Sequence, residues 1–320
     1  MLGSMITTIF PSRVLTRDDY IEYVSIGEEA GLDSFWVGDH LNWYVPVLEN
    51  LTMLGLLAGH TSLRLGSNVI IPALRQPYLL AKMAATIDFL APGGYVLGLG
   101  AGGEHKLEFE AAGVPVKERG RRTDESLHLL RRLFSEDSVN HDGEFYHTAN
   151  AMLNPRADLP IVIGGRSKRA YRRVAEHGDG WTAIWVTPSH FSNVWQEIRD
   201  HAQGAGRNVD ELRSTVHVFV HIGPDAESSW RVSGEHLSVF YDTDPAPFRQ
   251  FVLTGPPDKI AEGLTAYLDT DVDELLVSFT DPNPMAQMER FASEVMPLLE
   301  RREDRPMAGR WLRPEKLPSS

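Results

Sequence analysis

The chain has 320 residues, of which 42% are hydrophobic and 23% charged, with a net charge of −13 and no cysteine. This length admits either two ordinary domains or one large α/β barrel, which occupies about 250 residues or somewhat more. The lack of cysteine excludes disulfides, thiolate nucleophiles, iron–sulfur clusters and cysteine-bound zinc, so redox chemistry would need an organic cofactor or histidine and carboxylate ligands. The acidic charge argues against nucleic-acid and anionic-membrane partners.

Both ends of the sequence are expected to lie outside the folded domain. Met1 to Ser4, which precede Met5, are expected to be a remnant of cloning, and the domain is predicted over residues 5–302. Residues 303–320 contain three prolines and many charges, which predicts an extended C-terminal arm. No apolar run approaches the roughly 18 residues of a membrane span, and residues 1–9 lack the pattern of a signal peptide. A cytoplasmic location is therefore expected.

Apolar, β-branched runs alternate with amphipathic segments along the chain, as parallel strands alternate with crossover helices. Strands are predicted at residues 6–10, 34–38, 64–71, 95–99, 160–164, 181–186, 215–222 and 274–279. Helices are predicted at residues 18–31, from residue 76 onward, and at 118–134, 167–177, 189–205 and 257–268. The alternation predicts the α/β class and a single (β/α)8 TIM barrel. Two insertions interrupt it, at 137–158 and at 233–254, and the second is the candidate lid.

Polar and aromatic residues follow the second predicted strand, at the barrel end that carries active sites. Asp39 and His40 end this strand, and Trp43 and Tyr44 come shortly after it. Imidazole titrates near neutral pH and a carboxylate can orient it, so the pair suits proton transfer. The alternative is that Asp39 caps the next segment and that His40 is a surface residue.

A glycine-rich turn follows the fourth strand. Gly100, Ala101 and Gly102 lie in it, and glycine lets a backbone approach a flat or charged ligand closely. The spacing of its glycines superficially matches the dinucleotide-binding fingerprint, but its place in the fourth βα unit argues against a Rossmann fold.

The fifth strand ends in Gly164 and Gly165, and a helix opens directly after Arg166 and Ser167. Free backbone NH groups and the positive end of the helix dipole are suited to holding a phosphate there. This helix start carries five cations, which either receive an acidic cofactor tail or form a solvated face: Arg166, Lys168, Arg169, Arg172 and Arg173.

Two histidines, His217 and His221, lie four residues apart on the seventh strand and hence on one face with Phe219. No third ligand is apparent and there is no His-Glu-x-x-His motif, so no metal site is expected. His221 is nearer the carboxyl end of the strand and is predicted to line the pocket.

Several runs of residues resemble the luciferase-like monooxygenase and hydride transferase superfamily. They are AGLDSFWVGDH at 30–40, LGSNV at 65–69 and DFLAPGGYVLGLG at 88–100. Shorter matches follow in order at 108–109, 113–115, 119–121, 143–146, 160–165, 178–181 and 255–258. The resemblance spans roughly residues 6–300 and is specific for the superfamily rather than for one reaction.

The resemblance implies one of two cofactors. Members bind FMN, which a separate reductase reduces and which is used with oxygen, or the deazaflavin coenzyme F420, which is used for hydride transfer. Asp39, His40 and Trp43 resemble the F420 branch, where the matching His and Trp lie beside the reactive ring and the Asp contacts the cofactor. If the reaction is hydride transfer, Glu108 is expected to be a secondary polar contact, and it is counted with His40 and Trp43 among the catalytic residues.

The family comparison also extends the predicted cofactor site. Ser67, Asn68 and Val69 match the strand-three bulge that backs the cofactor ring, which implies a cis peptide bond between Asn68 and Val69. F420 carries an oligoglutamate tail, and the five cations of the helix after strand five are its expected partner, although exposed charges act weakly and are screened by salt.

This chain departs from the sugar-phosphate dehydrogenases of the F420 branch. Those enzymes place Thr and Lys after strand six to hold the substrate phosphate, whereas this chain has Ile-Trp-Val-Thr at 184–187. Arg249 is left as one candidate cation. An apolar or aromatic substrate is therefore predicted, in a pocket formed by Tyr44, Trp185, His221, Tyr241 and Arg249.

Three functions remain open from the sequence. The first is hydride transfer between F420 and a small organic substrate, with His40 giving or taking the accompanying proton. The second is an FMN-dependent monooxygenase that needs a flavin reductase as partner. The third is a barrel that binds its cofactor without turnover. Family members are commonly dimers, so a homodimer is expected.

Overall fold

The computed structural model describes residues 1–6, 9–10, 13–299 and 309–311. Its strands, in chain order, are β1 Leu2–Ile6, β2 Ile9–Phe10, β3 Arg13–Val14, β4 Ser34–Val37, β5 Arg64–Ser67, β6 Tyr95–Leu99, β7 Val139–Asp142, β8 His147–Ala151, β9 Ile161–Gly164, β10 Gly180–Ile184, β11 Arg213–Ile222, β12 Val252–Gly255 and β13 Glu274–Phe279. Its α-helices are α1 Arg17–Glu29, α2 Asn50–Leu57, α3 Pro77–Leu90, α4 Lys106–Ala111, α5 Arg119–Ser135, α6 Lys168–His177, α7 Pro188–Gly204, α8 Ala226–Tyr241, α9 Pro257–Leu268 and α10 Pro284–Arg290.

Eight parallel strands close into a barrel, in the order β1, β4, β5, β6, β9, β10, β11 and β13. The barrel closes where β13 pairs with β1, with Leu275 opposite Leu2. β11 is the longest strand. Its carboxyl half extends beyond β10 and pairs with β12, with Phe219 opposite Val252. The predicted (β/α)8 TIM barrel is confirmed.

The core has an inner and an outer layer. Met5, Trp36, Val96, Val162 and Leu276 fill the inside of the barrel. A larger cluster fills the space between the barrel and the surrounding helices. Because each strand is covered on both faces, the strand sequences are almost continuously apolar, as parallel sheets require.

The first barrel strand lies earlier than predicted. β1 covers Leu2–Ile6, so the prediction of a strand over 6–10 is wrong, and residues 2–4 lie inside the barrel sheet rather than before the domain. Residues 9–10 and 13–14 instead pair as a short antiparallel hairpin. β1 is a strand because it pairs with β4 on one side and with β13 on the other. These partners are distant in the sequence, so residues 2–6 alone do not predict the strand.

At the other end, most of the predicted C-terminal arm, 303–308 and 312–320, lies outside the described residues. The described part, Gly309–Trp311, forms a single 3-10 turn. Trp311 is buried, packs with the inner barrel cluster, and its Nε1 donates to the carbonyl of Asp179 at 3.3 Å. Since Asp179 immediately precedes β10, this turn covers the amino-terminal end of the barrel.

The two interruptions of the βα rhythm differ in structure. Residues 137–158 contain the antiparallel hairpin of β7 and β8. Residues 233–254 begin inside α8 and continue through a 3-10 helix at Ala246–Phe251 into β12, so the predicted boundary at 233 cuts a continuous helix. No helix among the described residues is long and apolar enough to cross a membrane.

Candidate functional site

A cavity of about 1100 Å³ opens at the carboxyl ends of the barrel strands. Its floor is made of side chains from inside the barrel, including Met5, Asn68, Thr182 and His217. This is the end at which (β/α)8 enzymes hold their substrates. The cavity has three parts.

The first part is a histidine with two partners at the end of β4. The ring of His40 stacks on the ring of Trp43, with centroids 3.6 Å apart and an interplanar angle of 19°. Its Nδ1 lies 3.4 Å from Oε2 of Glu108, which α4 carries and which is fully buried. Because Nδ1 faces the carboxylate, Nε2 is the ring nitrogen left for a ligand. The fourth residue of this group, His105, packs edge-on against Trp43 and was not predicted from the sequence.

Asp39 lies beside His40 but is bound to protein. Both of its carboxylate oxygens accept hydrogen bonds from Arg75, each at 2.7 Å, and only 1% of its side chain is exposed. Burial raises the pKa of Asp39 above its usual range, and the guanidinium of Arg75 acts in the opposite direction. Arg75 also donates to Glu49 at 3.0 Å. Asp39 lines the cavity, and its role as a direct cofactor contact stays a prediction. Its carboxylate also accepts from the backbone NH of Ile71 at 3.4 Å, and its partner Arg75 was not predicted from the sequence.

The loop that carries His40 has a second support from α2. Nδ2 of the buried Asn50 donates to the carbonyls of Val37 and Gly38, at 2.7 and 3.1 Å. Glu49 accepts from the backbone NH of Thr52 and so caps the same helix. α2 and Arg75 together fix the backbone on which His40 stands.

The second part of the cavity is a cradle beneath the predicted ring position. The peptide bond between Asn68 and Val69 is cis, as predicted. Ser67 is buried behind the cavity and its Oγ accepts from the backbone NH of Gly98, so it supports the bulge and does not line the cavity. Asn68 accepts from the hydroxyl of Thr182 at 2.9 Å.

Glycine turns after β6 and at the end of β9 complete this cradle, and both turns line the cavity as predicted. A Cβ on Gly100 would lie 2.5 Å from Cγ2 of Val69, so only glycine lets the two strands approach this closely. Gly165 has a φ of +136°, which other residues rarely adopt. Ser167 then caps α6, accepting from the backbone NH of Ala170 at 3.3 Å. The free NH groups of this helix start face an opening with positive charge on either side.

We call that positive opening the basic arm. It consists of six cationic residues of the cavity lining: Lys117, Arg119, Arg121, Arg166, Arg169 and Arg173. Three of them belong to the predicted helix cluster, while Lys168 and Arg172 of that cluster lie outside the lining. Of the other three, Lys117 lies in the 3-10 turn before α5 and Arg119 and Arg121 lie in its first turn, and the basic residues at 117–122 were the sequence signal for them. Only Glu104 and Asp124 add negative charge to this part of the lining.

The third part of the lining, which we call the aromatic chamber, packs against Trp43. It is formed by Ile184, His217, Phe219, Phe240 and Tyr241. Phe240 and Tyr241 end α8, and their rings lie 5.9 and 6.0 Å from that of Trp43. None of these chamber residues carries a permanent charge.

Four of the five residues predicted for the substrate pocket do not line the cavity. Tyr44 is 44% exposed and packs on His105. Trp185 lies behind Phe219, stacked on it with centroids 4.8 Å apart. His221 is bound to Asp281 at 3.0 Å, and Arg249 is paired with Glu227 on the surface. Of that prediction, only Tyr241 is part of the lining.

The reason differs between these misplaced residues. Trp185 has a φ of +57°, so the backbone turns at the end of β10 and carries the side chain out of the barrel. His221 and His217 share a face of β11, but the carboxyl half of this strand rises beyond the cavity and packs under α8 and α10. Within the described residues, no group of three or more metal-binding side chains could hold an ion.

The family model of the luciferase-like monooxygenases matches residues 6–247. The chain belongs to this family. The F420-dependent glucose-6-phosphate dehydrogenase of Kineococcus radiotolerans is 26% identical over 305 residues, which covers 85% of this chain and 90% of that protein. The curated relatives of this chain include dehydrogenases and a reductase, so this luciferase-like barrel is an oxidoreductase.

Solved structures show the same luciferase-like fold. An F420-dependent secondary alcohol dehydrogenase, in complex with an F420-acetone adduct, superposes with a TM-score of 0.79 at 18% identity, covering 94% of this chain and 99% of that chain. The monooxygenase RslO1 of Streptomyces bottropensis superposes with a TM-score of 0.80 at 19% identity, covering 93% of this chain and 99% of that chain. At these identities the two structures establish the shared barrel and no shared reaction.

Proposed function

We propose that this chain is an F420-dependent oxidoreductase that transfers a hydride between the deazaflavin and a small, neutral, largely apolar or aromatic substrate. The observation that carries the proposal is the stack of His40 on Trp43, backed by the buried carboxylate of Glu108, at the edge of the cavity. Bound in the cradle, the deazaflavin supplies the atom that accepts or releases the hydride.

His40 provides the proton step in this proposal. Glu108 accepts from Nδ1–H of His40, which leaves the lone pair of Nε2 facing the cavity and able to take a proton from a substrate hydroxyl. Trp43 holds the imidazole plane by stacking, so the nitrogen keeps one direction. In the reverse reaction the protonated ring returns the proton through Nε2.

The cofactor assignment rests on fit at two places. The cradle leaves room for a flat ring against Val69, and the start of α6 presents backbone NH groups to a phosphate; FMN and F420 share both features. The basic arm adds six cations to the lining around this helix start, although Arg121, Arg166 and Arg173 each have a carboxylate partner. An oligoglutamate tail could contact these cations, whereas FMN ends at its phosphate. The curated relatives named as F420-dependent support the same choice.

A titration tests the cofactor. Purified protein is titrated with F420 and with FMN, each followed by fluorescence quenching at low and high salt. We expect F420 to bind more tightly, and its advantage to shrink at high salt because the Debye length falls from about 10 Å at 0.1 M to about 3 Å at 1 M. Tighter binding of FMN, with no salt-sensitive preference for F420, would overturn the assignment.

The substrate class rests on the aromatic chamber. The relatives named for glucose 6-phosphate act on a dianionic substrate, whereas the chamber here presents no Lys or Arg, and Arg249 is paired with Glu227 away from the lining. Burying a phosphate without a cation would be very costly. We expect F420 reduction with small aromatic or branched alcohols and none with glucose 6-phosphate. Turnover of glucose 6-phosphate would contradict this class.

The second candidate is an FMN-dependent monooxygenase served by a separate flavin reductase. It is favoured by the close superposition of the monooxygenase RslO1 and by the cradle, which suits either ring. If reduced FMN and an aromatic substrate together cause faster oxygen consumption than reduced FMN alone, this would support the monooxygenase.

The cytoplasmic location and the homodimer stay predictions. Sedimentation velocity in the analytical ultracentrifuge tests whether the protein is a homodimer.

A further inference from the structure

His217 lies at the inner end of the aromatic chamber with no role in the proposed chemistry. It stands on β11, two residues before Phe219 on the same face, and the two rings are 4.6 Å apart. Its side chain forms part of the cavity lining, yet only 4% of the residue is exposed. His40 follows a different strand, β4, so His217 is a polar group separate from it, in a chamber otherwise formed by Ile184, Phe219, Phe240 and Tyr241.

The neighbours of His217 select one tautomer. The hydroxyl of Ser278 donates its single hydrogen to the carbonyl of Met5 at 2.7 Å. The same oxygen lies 2.8 Å from Nε2 of His217, so it can only accept there, and Nε2 must carry the hydrogen. Nδ1 then carries a lone pair. The hydrogen-bonded chain from Met5 through Ser278 therefore ends at a buried acceptor on a residue that lines the chamber.

This acceptor has no partner within the described part of the chain. Burial lowers the pKa of His217 to about 3, so the ring is neutral at physiological pH and Nδ1 acquires no hydrogen of its own. A buried acceptor without a donor loses its hydration and gains nothing in return. A ligand that lies against His217 is therefore favoured if it brings a donor, and disfavoured if it brings only an acceptor or an anion.

We propose that Nδ1 of His217 accepts a hydrogen bond from an O–H or N–H group of the substrate, distinct from the group that reacts at His40. The assignment of the chamber to the substrate rests on the proposed function. This hydrogen bond narrows the substrate class to small aromatic or apolar molecules with two functional groups. One contains the reacting carbon near His40, and the other is a neutral hydrogen-bond donor beside His217.

Phenol and anisole serve as matched probes, because they share a ring and differ in whether the oxygen can donate. Binding of each to the cofactor-free protein is followed by tryptophan fluorescence. We expect the wild-type chain to prefer phenol by about three- to tenfold, the range that one net hydrogen bond provides. In His217→Phe the preference should fall to about one, while anisole still binds.

His236→Phe is the control, since this histidine is also buried but lies outside the cavity lining. It should retain the preference for phenol. No preference in the wild-type chain, or an equal preference in His217→Phe, would overturn the proposal. So would a His217→Phe protein that keeps its phenol preference but loses F420 binding, because the donor would then belong to the cofactor.

A second measurement reads the tautomer directly. In ¹⁵N-histidine-labelled protein, the signals missing from His217→Phe identify His217, and we expect Nε2 protonated and Nδ1 bare at both pH 7 and pH 5. Ser278→Ala should mix the tautomers, and phenol should shift the Nδ1 signal in the wild-type chain. A hydrogen on Nδ1 would refute the proposal. Because no cofactor is present, these results are independent of whether F420 or FMN binds.

Discussion

At the scale of single residues, the distance between His40 and Glu108 is informative. At 3.4 Å the contact is long for a charge-assisted hydrogen bond, and one oxygen of the fully buried Glu108 has no partner among the described residues. Catalytic hydrogen bonds are often long in ligand-free proteins and shorten when substrate binds. The arrangement therefore suits a group that changes its protonation during turnover.

Replacing His40 by alanine should lower kcat by about 10²- to 10⁴-fold, because a proton-transfer group acts in the transition state. F420 should bind within about twofold of wild type, since the cradle and the basic arm are untouched. Stopped-flow absorbance of F420 and fluorescence titration measure the two quantities. His60→Ala, at an exposed histidine, is the control. Equal losses in turnover and cofactor binding would make His40 a binding residue.

Asp39 and Arg75 should behave as one unit in stability. Arg75→Gln leaves a buried carboxylate unpaired and should cost about 3–5 kcal/mol of unfolding free energy. Adding Asp39→Asn should recover part of that loss, because the double variant buries no lone charge at position 39. Urea denaturation of the two single variants and the double variant measures the coupling.

An ion pair on the surface supplies the matched control for this comparison of single and double variants. Arg17 and Asp18 are 72% and 78% exposed, so Arg17→Gln should change stability by less than about 1 kcal/mol. Strictly additive losses in Asp39→Asn and Arg75→Gln would show that the pair is not coupled. A large loss of F420 binding in Asp39→Asn, with stability unchanged, would support the direct contact between Asp39 and the cofactor that the family resemblance implies.

At the scale of secondary structure elements, α6 offers a paired test of the basic arm. Arg169 lines the cavity and forms no ion pair within the described residues, whereas Arg172, one turn away on the same helix, is exposed outside the lining. Arg169→Gln should weaken F420 binding severalfold at low salt and leave FMN binding nearly unchanged. Arg172→Gln should affect neither.

Fluorescence titration at two salt concentrations checks this expectation, because removal of one tail contact should also flatten the salt dependence. Equal weakening by both variants would mean that α6 acts through its overall charge rather than through a site. Arg173 is less suitable for the test, since its guanidinium is already bound to Asp124 and to the carbonyl of Gly120.

Individual elements also show what the sequence can predict. The strand Tyr95–Leu99, the strand Glu274–Phe279 and the helix Pro257–Leu268 have the predicted bounds, because Gly, Pro or polar residues border each apolar run. β1 was misplaced because its run contains Gly3 and Ser4, and small residues there are explained only by close contacts with β4 and β13.

The candidate site was predictable where its residues follow strand ends. His40, the turn at Gly100 and the turn at Gly165 all have that position. Arg75 was missed because its partner Asp39 lies 36 residues away, and no local pattern joins the two. Trp185 was misplaced because a positive φ at a tryptophan cannot be inferred from its neighbours.

At the scale of the whole molecule, two buried histidines link folding to pH. Burial lowers the pKa of His217 to about 3 and that of His236 to about 4, against about 6.5 in an unfolded chain. Below pH 6.5 the unfolded state binds more protons than the native state at both positions. Stability should therefore fall as pH decreases from about 6.5 toward 4, by up to about 1.4 kcal/mol per pH unit for each histidine.

Urea denaturation at a series of pH values measures this slope. His236→Asn should reduce it by close to one proton, and His60→Ala, at an exposed histidine, should leave it unchanged. A slope that is identical in wild type and His236→Asn would show that His236 is not held neutral in the native state.

The order of the cavity lining along the chain bears on how such a barrel diversifies. The residues around His40 and the cradle bulge come from 37–71, those that hold the glycine turns and the basic arm from 100–173, and the aromatic chamber from 182–241. The chamber lining thus forms the last of three consecutive blocks, while Glu108, the partner of His40, lies in the second block and Met5 and Ile6 precede the first. A single crossover near residue 178 would exchange the substrate wall for that of a relative and retain the other two blocks. Recombination at that point is a short route to new substrates on an unchanged redox apparatus.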